Sequence, residues 1–412
     1  MRTTVGADMR VTEERLARAY LLRVAEPPAP ALAAFAATHG PVEAAERVRR
    51  RDVPSTVARE TEARAHLTVS SADIERAAAE QGARLITPED DEWPEWPLLS
   101  LTVAGSRGVR GMSAPIALWA RGRGSLDQAV GRAVTMVGSR ASSGYGEHIA
   151  SEWAYELVGE GVAVFSGAAY GIDAAAHRGA LAGGGTTVAV LGCALDVGYP
   201  AGQVRLLEKI AERGLVLSEY PPGTPPARHR FLVRNRLLAA LSAATVVVEA
   251  GLRSGARNTA NTARLLGRPV MAVPGPLTSA TSAGCHDLIR HEHATLVTSS
   301  AEVLEVVGML GADLADQAEP PGRATDQLSG DTLRVHEALS RTPKSVEQVA
   351  VDAGVAERTV RAVLPELEID GFCERTESGW RLATARGDPK DQPVRRESTS
   401  GPSAGTRVHS WC

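Results

Sequence analysis

Short apolar runs alternate with longer amphipathic stretches between about residue 133 and residue 310. The runs at 134–138, 162–166, 187–191, 215–218, 245–249, 269–273 and 295–297 have the length and β-branched content of buried strands. The stretches between most of them, such as 144–160, 172–182 and 258–266, carry a helical period. This alternation predicts an α/β domain over 91–310 built on a mostly parallel, doubly wound sheet. Such sheets bind ligands beyond the carboxyl ends of their strands, so the residues that follow each strand are the ones to inspect.

The flanks read differently. Residues 13–24, 30–38 and 41–51 form short helix patterns, with Gly40-Pro41 acting as a stop followed by a helix start. They predict a small helical domain over 1–90. Its connector includes Glu92-Trp93-Pro94-Glu95-Trp96-Pro97, and a strand follows that ends at Arg121-Gly122. A Pro/Gly-containing linker is expected at 311–328. Three helix patterns at 332–340, 345–353 and 357–370 precede a hairpin at 373–382 with Ser378-Gly379 at its turn, the layout of a winged helix over 329–385. The polar segment 386–412 reads as a disordered tail.

Composition narrows the function. The 412 residues carry 45 Lys plus Arg against 49 Asp plus Glu, which excludes a uniformly basic chain but not a local basic patch. The lysines are Lys209, Lys344 and Lys390, and none follows a glycine, so no Walker A loop exists. The cysteines Cys193, Cys285, Cys373 and Cys412 form no C-x-x-C pair and read as reduced thiols. With neither an apolar leader nor a continuous apolar span, the expectation is a soluble cytoplasmic protein without membrane contact. No metal or cofactor motif appears.

Three strand-to-helix turns could carry chemistry. Gly138-Ser139-Arg140 leads through Ser142-Ser143-Gly144-Tyr145-Gly146 into a helix whose unpaired N–H groups could cradle a phosphate. Ser166-Gly167 leads through Tyr170 to Asp173 and His177, one helical turn apart. A Ser/His/Asp hydrolase is disfavoured there, because Val164 stands where a nucleophile elbow needs glycine. Asp173 and His177 are expected to form a structural hydrogen-bonded pair. The third turn holds Arg253-Ser254-Gly255. Between the second and third lies Arg228-His229-Arg230-Phe231-Leu232-Val233-Arg234-Asn235-Arg236, with no acidic residue from 221 to 247. Guanidinium groups suit phosphates, and an exposed Phe231 among them would be a stacking platform of the single-strand-binding type.

These strings resemble the DNA-processing protein A (DprA/Smf) family. The matching segments are Met136-Val137-Gly138-Ser139-Arg140, Gly171-Ile172-Asp173-Ala174-Ala175-Ala176-His177-Arg178-Gly179, Tyr199-Pro200, Ser218-Glu219-Tyr220-Pro221, Arg234-Asn235-Arg236, Val247-Val248-Glu249-Ala250, Ser254-Gly255 and Val273-Pro274-Gly275. The resemblance implies an extended Rossmann-like domain, with the N-terminal helices as a SAM/helix-hairpin-helix-like domain and the winged helix behind. It implies a homodimer that is not an enzyme and needs no cofactor. Such a protein binds single-stranded DNA, protects incoming strands in natural transformation and loads the RecA recombinase. The DNA-gripping positions would be Gly138, Ser139, Arg140, Ser166, Gly167, Tyr170, Arg230, Phe231, Arg234, Asn235, Arg236, Arg253, Ser254 and Gly255. The chain departs from the family pattern at Leu232, at Arg257-Asn258 and at Tyr170, where stacking could replace charge.

The competing reading is a nucleotide-binding, phosphoribohydrolase-like enzyme on the same fold. Its Pro-Gly-Gly-x-Gly-Thr loop is absent, and no Glu follows Arg253-Ser254-Gly255-Ala256 in the next turn. The winged helix is not expected to read DNA. Residues 327–385 hold ten acidic against seven basic side chains, a balance that opposes phosphate contact and favours a protein-contact or structural role.

Overall fold

The structure is a computed structural model that describes residues 11–308, Thr325 and residues 328–383. The expected tail and nearly all of the expected linker lie outside them, as does Cys412. Two compact units divide the chain, 1–316 and 317–412.

The first unit is built on a nine-stranded sheet. Its strands are β1 (Ala83–Ile86), β2 (Leu118–Arg121), β3 (Ala133–Val137), β4 (Ala163–Ser166), β5 (Thr187–Leu191), β6 (Leu215–Ser218), β7 (Ala244–Val247), β8 (Val270–Ala272) and β9 (Thr295–Leu296). They lie in the order β1-β2-β6-β5-β4-β3-β7-β8-β9. The run from β6 to β9 is parallel, while β1 and β2 are antiparallel additions at one edge. β3, β4, β5 and β7 are buried at every position, as a parallel sheet covered on both faces requires.

Alternate residues of each strand feed opposite cores. Ala133 and Val137 of β3, Val188 and Val190 of β5, and Leu215 and Leu217 of β6 point to one face. There they meet Leu98, Leu101, Leu237, Leu238, Ala256 and Leu288 from four helices. On the other face Val134 and Met136 pack against Trp153, Leu157, Ile172 and Ala176. Farther along that face Ala189, Leu191 and Val216 meet Tyr20, Leu21, Leu32 and Phe35 of the N-terminal helices. The N-terminal helices therefore share a core with the sheet. The sequence pattern shows no strand at β1, yet Ala83–Ile86 pairs with β2 through four registered positions, so the expected 1–90 segment contributes a strand to the neighbouring sheet.

In the second unit, helices Gly330–Ala338, Val346–Ala353 and Glu357–Ile369 precede an antiparallel hairpin of β10 (Cys373–Thr376) and β11 (Gly379–Leu382). Thr376 pairs with Gly379, so the hairpin turn is Glu377-Ser378, one residue earlier than expected. Ser345 and Gln348 form a reciprocal capping box on the second helix. Val335, Leu364, Leu367 and Trp380 fill the core. Among the described residues, no helix is long and apolar enough to cross a membrane.

Candidate nucleic-acid interface

The chain leaves β3, enters β4 on one side and later returns to β7 on the other side of β3. This reversal creates a crevice beyond the carboxyl ends of the strands. A groove of about 1050 Å³ opens there. It is lined by Gly138, Ser139 and Arg140 after β3, by Arg253, Ser254 and Gly255 after β7, and by Phe231, Arg234 and Asn235 from the helix Arg228–Ala240. Tyr199 lines the groove too, and an adjoining niche that it shares adds Gly167 and Tyr170. Eleven of the fourteen expected positions therefore meet at one edge.

The cations of the groove are of two kinds. Arg140, Arg228 and Arg253 are exposed. None of the three has a hydrogen-bond or ion-pair partner among the described residues, and Arg140 lies over the Phe231 ring, its guanidinium carbon 5.5 Å from the centroid. Arg234 is buried instead. Its guanidinium donates to the Val190 carbonyl and, through Nε, to Asn235 Oδ1 at 3.2 Å. Burial pulls its pKa down, and the charge of Asp173 opposes that shift. Among the described residues, Asp173 is the single carboxylate on the groove lining. Burial raises its pKa, while Arg234 and the nearby backbone N–H groups act the other way.

Gly167 is required by close approach, since a Cβ there would collide with the Arg234 guanidinium. Gly192 gives way in the same manner to the Phe231 ring. Gly171 takes a φ of 76°, and its missing side chain leaves room for the Ser139 carbonyl.

Three expected positions are drawn away from the groove. Ser166 is fully buried, and its hydroxyl donates to the Met136 carbonyl at 2.6 Å. Arg236 is buried against Glu219 in a two-pronged pair, Nη1 to Oε2 at 2.8 Å and Nη2 to Oε1 at 2.7 Å. Arg230 binds Glu26, in the loop between the first two N-terminal helices, Nε to Oε1 at 2.7 Å. Burial raises Glu26, but hydrogen bonds from Arg230 and Arg64 outweigh it and hold its carboxyl below the usual range. The acid-free window around the arginines hid these partners, which lie 204 and 17 residues away in sequence.

Two further expectations change. The helix Gly144–Gly159 does not present a free N-terminus: Glu249 accepts from the Ser143 amide at 2.9 Å and from its hydroxyl at 2.5 Å. A carboxylate of the protein already sits where a phosphate cradle was expected. Asp173 and His177 do not bond each other. Asp173 accepts from the Ala169 amide at 3.4 Å, and His177 Nδ1 lies 2.7 Å from Thr187 Oγ1. The Thr187 hydroxyl donates to the Val164 carbonyl, so His177 Nδ1 is the donor and Nε2 carries the unshared lone pair. Burial, with Arg234 and Arg178 adding to it, lowers the His177 pKa to about 3.

Tyr199 and Arg228 line the groove but are not among the fourteen expected positions; Arg228 belongs to the arginine segment already singled out, whereas Tyr199 does not. Its ring lies 5.4 Å from that of Phe231. The available signal was its scarcity as an aromatic in a loop just after a strand.

A doubly wound, Rossmann-like sheet with a cationic, aromatic-walled cleft at its switch point, and a winged helix as a second unit, define the class of this protein. The chain belongs to the DNA recombination-mediator protein A family, whose sequence model matches residues 84–308, and the DprA winged helix domain model matches residues 319–379. It is 50% identical over 368 residues to a Mycobacterium tuberculosis protein provisionally named DNA processing protein DprA, covering 89% of this chain and 94% of the relative. It is 45% identical over 191 residues to the Streptococcus pneumoniae DNA processing protein DprA, covering 46% of this chain and 66% of that one. The solved structure of DNA processing protein A from Streptococcus pneumoniae covers 73% of this chain and 100% of its own, with 31% identity and a TM-score of 0.58.

Proposed function

We propose that this chain is a single-stranded DNA-binding recombination mediator and not an enzyme. It acts in the cytoplasm as a homodimer, protects incoming single strands in natural transformation and loads the RecA recombinase onto them. The observation that carries the binding step is the groove lining: among the described residues, three exposed arginines without ion partners, beside Tyr170, Tyr199 and Phe231, with one buried carboxylate. Clustered guanidinium groups repel one another until a polyanion neutralises them, and aromatic faces accept any base. Binding is then steep in salt and tolerant of sequence. The enzyme reading needs an accessible carboxylate or a free imidazole at the reacting edge. Glu249 is spent on a helix terminus, His177 is buried, and Asp173, though on the groove lining, is buried and accepts from the Ala169 amide.

The test is fluorescence anisotropy with single- and double-stranded oligonucleotides of one sequence across a salt series, with a nucleotide-hydrolysis assay beside it. Salt-sensitive preference for the single strand without turnover is the expected result. Release of base or phosphate from a nucleotide would turn the groove into the site of the competing hydrolase. The winged helix contributes little to this affinity. Lys344 is bound to Asp352 at 2.8 Å and Arg381 to Glu374 at 2.6 Å, which neutralises part of an already acidic unit. Truncation at residue 326 should leave most of the single-strand affinity in place, and loss of it would overturn this assignment.

A further inference from the structure

We infer that Tyr199, rather than Phe231, is the principal face on which a nucleobase stacks; the inference rests on the single-strand-binding reading of the groove. Aromatic residues make up 4% of the chain, yet Tyr170, Tyr199 and Phe231 line one niche at the mouth of the groove.

The three rings are not equally available. Phe231 is enclosed. Its edge lies on Gly192, where even a methyl group would collide with it. Tyr199 packs on it at 5.4 Å between centroids, with the rings inclined by 32°. The Arg140 guanidinium lies over it at 5.5 Å. A base reaching for Phe231 must therefore displace either a cation–π contact or an aromatic one, and the gain is reduced by what is given up.

Tyr199 is open. It is 36% exposed, lines both the groove and the niche, and its hydroxyl has no partner among the described residues. Phe231 stands behind it as a backing, so its ring is held by packing before any ligand arrives. Tyr170 is 48% exposed and pinned differently, its hydroxyl accepting from the Gly202 amide at 3.2 Å. Tyr199 thus combines an open face, a rigid support and a neighbouring unpaired cation in Arg140. A nucleotide of a single strand needs this set: a surface for the base and a positive charge for the adjoining phosphate. A duplex offers no base face to such a ring, so the same residue would also discriminate between single and double strands.

The test uses the full chain and two strands of equal length, oligothymidylate and its abasic sugar-phosphate counterpart. Tyr199→Leu should weaken oligothymidylate binding about fivefold to a hundredfold. The abasic strand should bind the variant and the natural chain equally, and the salt slope should stay the same because no phosphate contact is touched. Tyr199→Phe keeps the ring and should restore binding. Equal losses on both strands would make Tyr199 a packing residue and overturn the inference. Unchanged binding of both strands by Tyr199→Leu would overturn it as well. Failure of the natural chain to bind either strand is a separate outcome, which would remove the single-strand reading itself.

Discussion

Replacing Arg236 with methionine separates two uses of an arginine that look alike in the sequence. Arg234 and Arg236 are two residues apart in a segment free of acids, and the sequence alone assigns both to DNA. In the structure Arg236 is 3% exposed and its partner Glu219 5%. The guanidinium gives two hydrogen bonds to that carboxylate and a third, from Nε, to the Ser113 carbonyl at 3.1 Å. Arg236→Met leaves the Glu219 carboxylate buried without its counter-charge, which costs about 3–5 kcal/mol. Depriving the Ser113 carbonyl of its donor adds about 1 kcal/mol. Urea unfolding followed by tryptophan fluorescence should show this as a lower midpoint, with Trp119 on β2 as a buried reporter. Adding Glu219→Leu removes the stranded charge and should recover most of the loss, because a buried pair replaced by apolar residues is often neutral. The affinity of the folded single variant for single-stranded DNA and its salt slope should match the natural chain. An Arg236→Met protein that unfolds at the natural midpoint but has lost a phosphate's worth of salt slope would refute this reasoning. The pair would then open toward the strand.

Arg140→Ala should weaken single-strand binding and lower the salt slope by about 0.7, the share of one phosphate contact; an unchanged slope would place Arg140 outside the interface. Glu249→Ala should destabilise the first unit by about 1–2 kcal/mol by removing the carboxylate that holds Ser143, the N-cap of the helix Gly144–Gly159, with Glu249→Gln recovering part of it in thermal melts. The pKa of His177 is about 3 in the fold against 6.5 ordinarily, so above pH 6.5 it is neutral in both states and contributes no pH dependence. Below that value the unfolded chain takes up a proton that the fold refuses, and stability falls by about 1.4 kcal/mol per pH unit from this group until the folded value is reached. His177→Gln should make stability against pH correspondingly shallower between those limits, and an unaltered slope in urea titrations would disprove the assignment.

What was legible in the sequence follows the range of each interaction. β5, β6 and the helix Ile172–Ala182 fall at the residues where the pattern places them, because burial on both faces of a strand, or along one helix, is written in adjacent positions. The three loops converge as expected because a doubly wound topology brings the carboxyl ends of its strands together. β1 has no apolar run to mark it, because Arg84 interrupts Ala83-Arg84-Leu85-Ile86, and its pairing comes from β2 in a separate segment of the chain. The arginine segment was misread for a related reason. Charge counted within a window misses Glu26 and Glu219, which reach the helix from other elements. The supposed cradle at the Gly144–Gly159 helix failed likewise, its occupant Glu249 lying 106 residues from Ser143. Local pattern therefore located the cleft. Long-range pairing decided which of its charges remain free.

The two glycines under the cleft have a further consequence. Arg234 lies on Gly167 and Phe231 on Gly192, each occupying space that any other residue would fill. The depth of the cleft and the position of its innermost charge are consequently one variable. A methyl group at 167 would push the guanidinium off its place against the Val190 carbonyl, changing the shape of the cleft and the position of its charge in a single step. An engineer could not deepen this cleft while leaving its charge in place, nor move the charge without changing which ligands fit. Both properties are set by atoms that the chain omits, and no count of charges or apolar residues registers them.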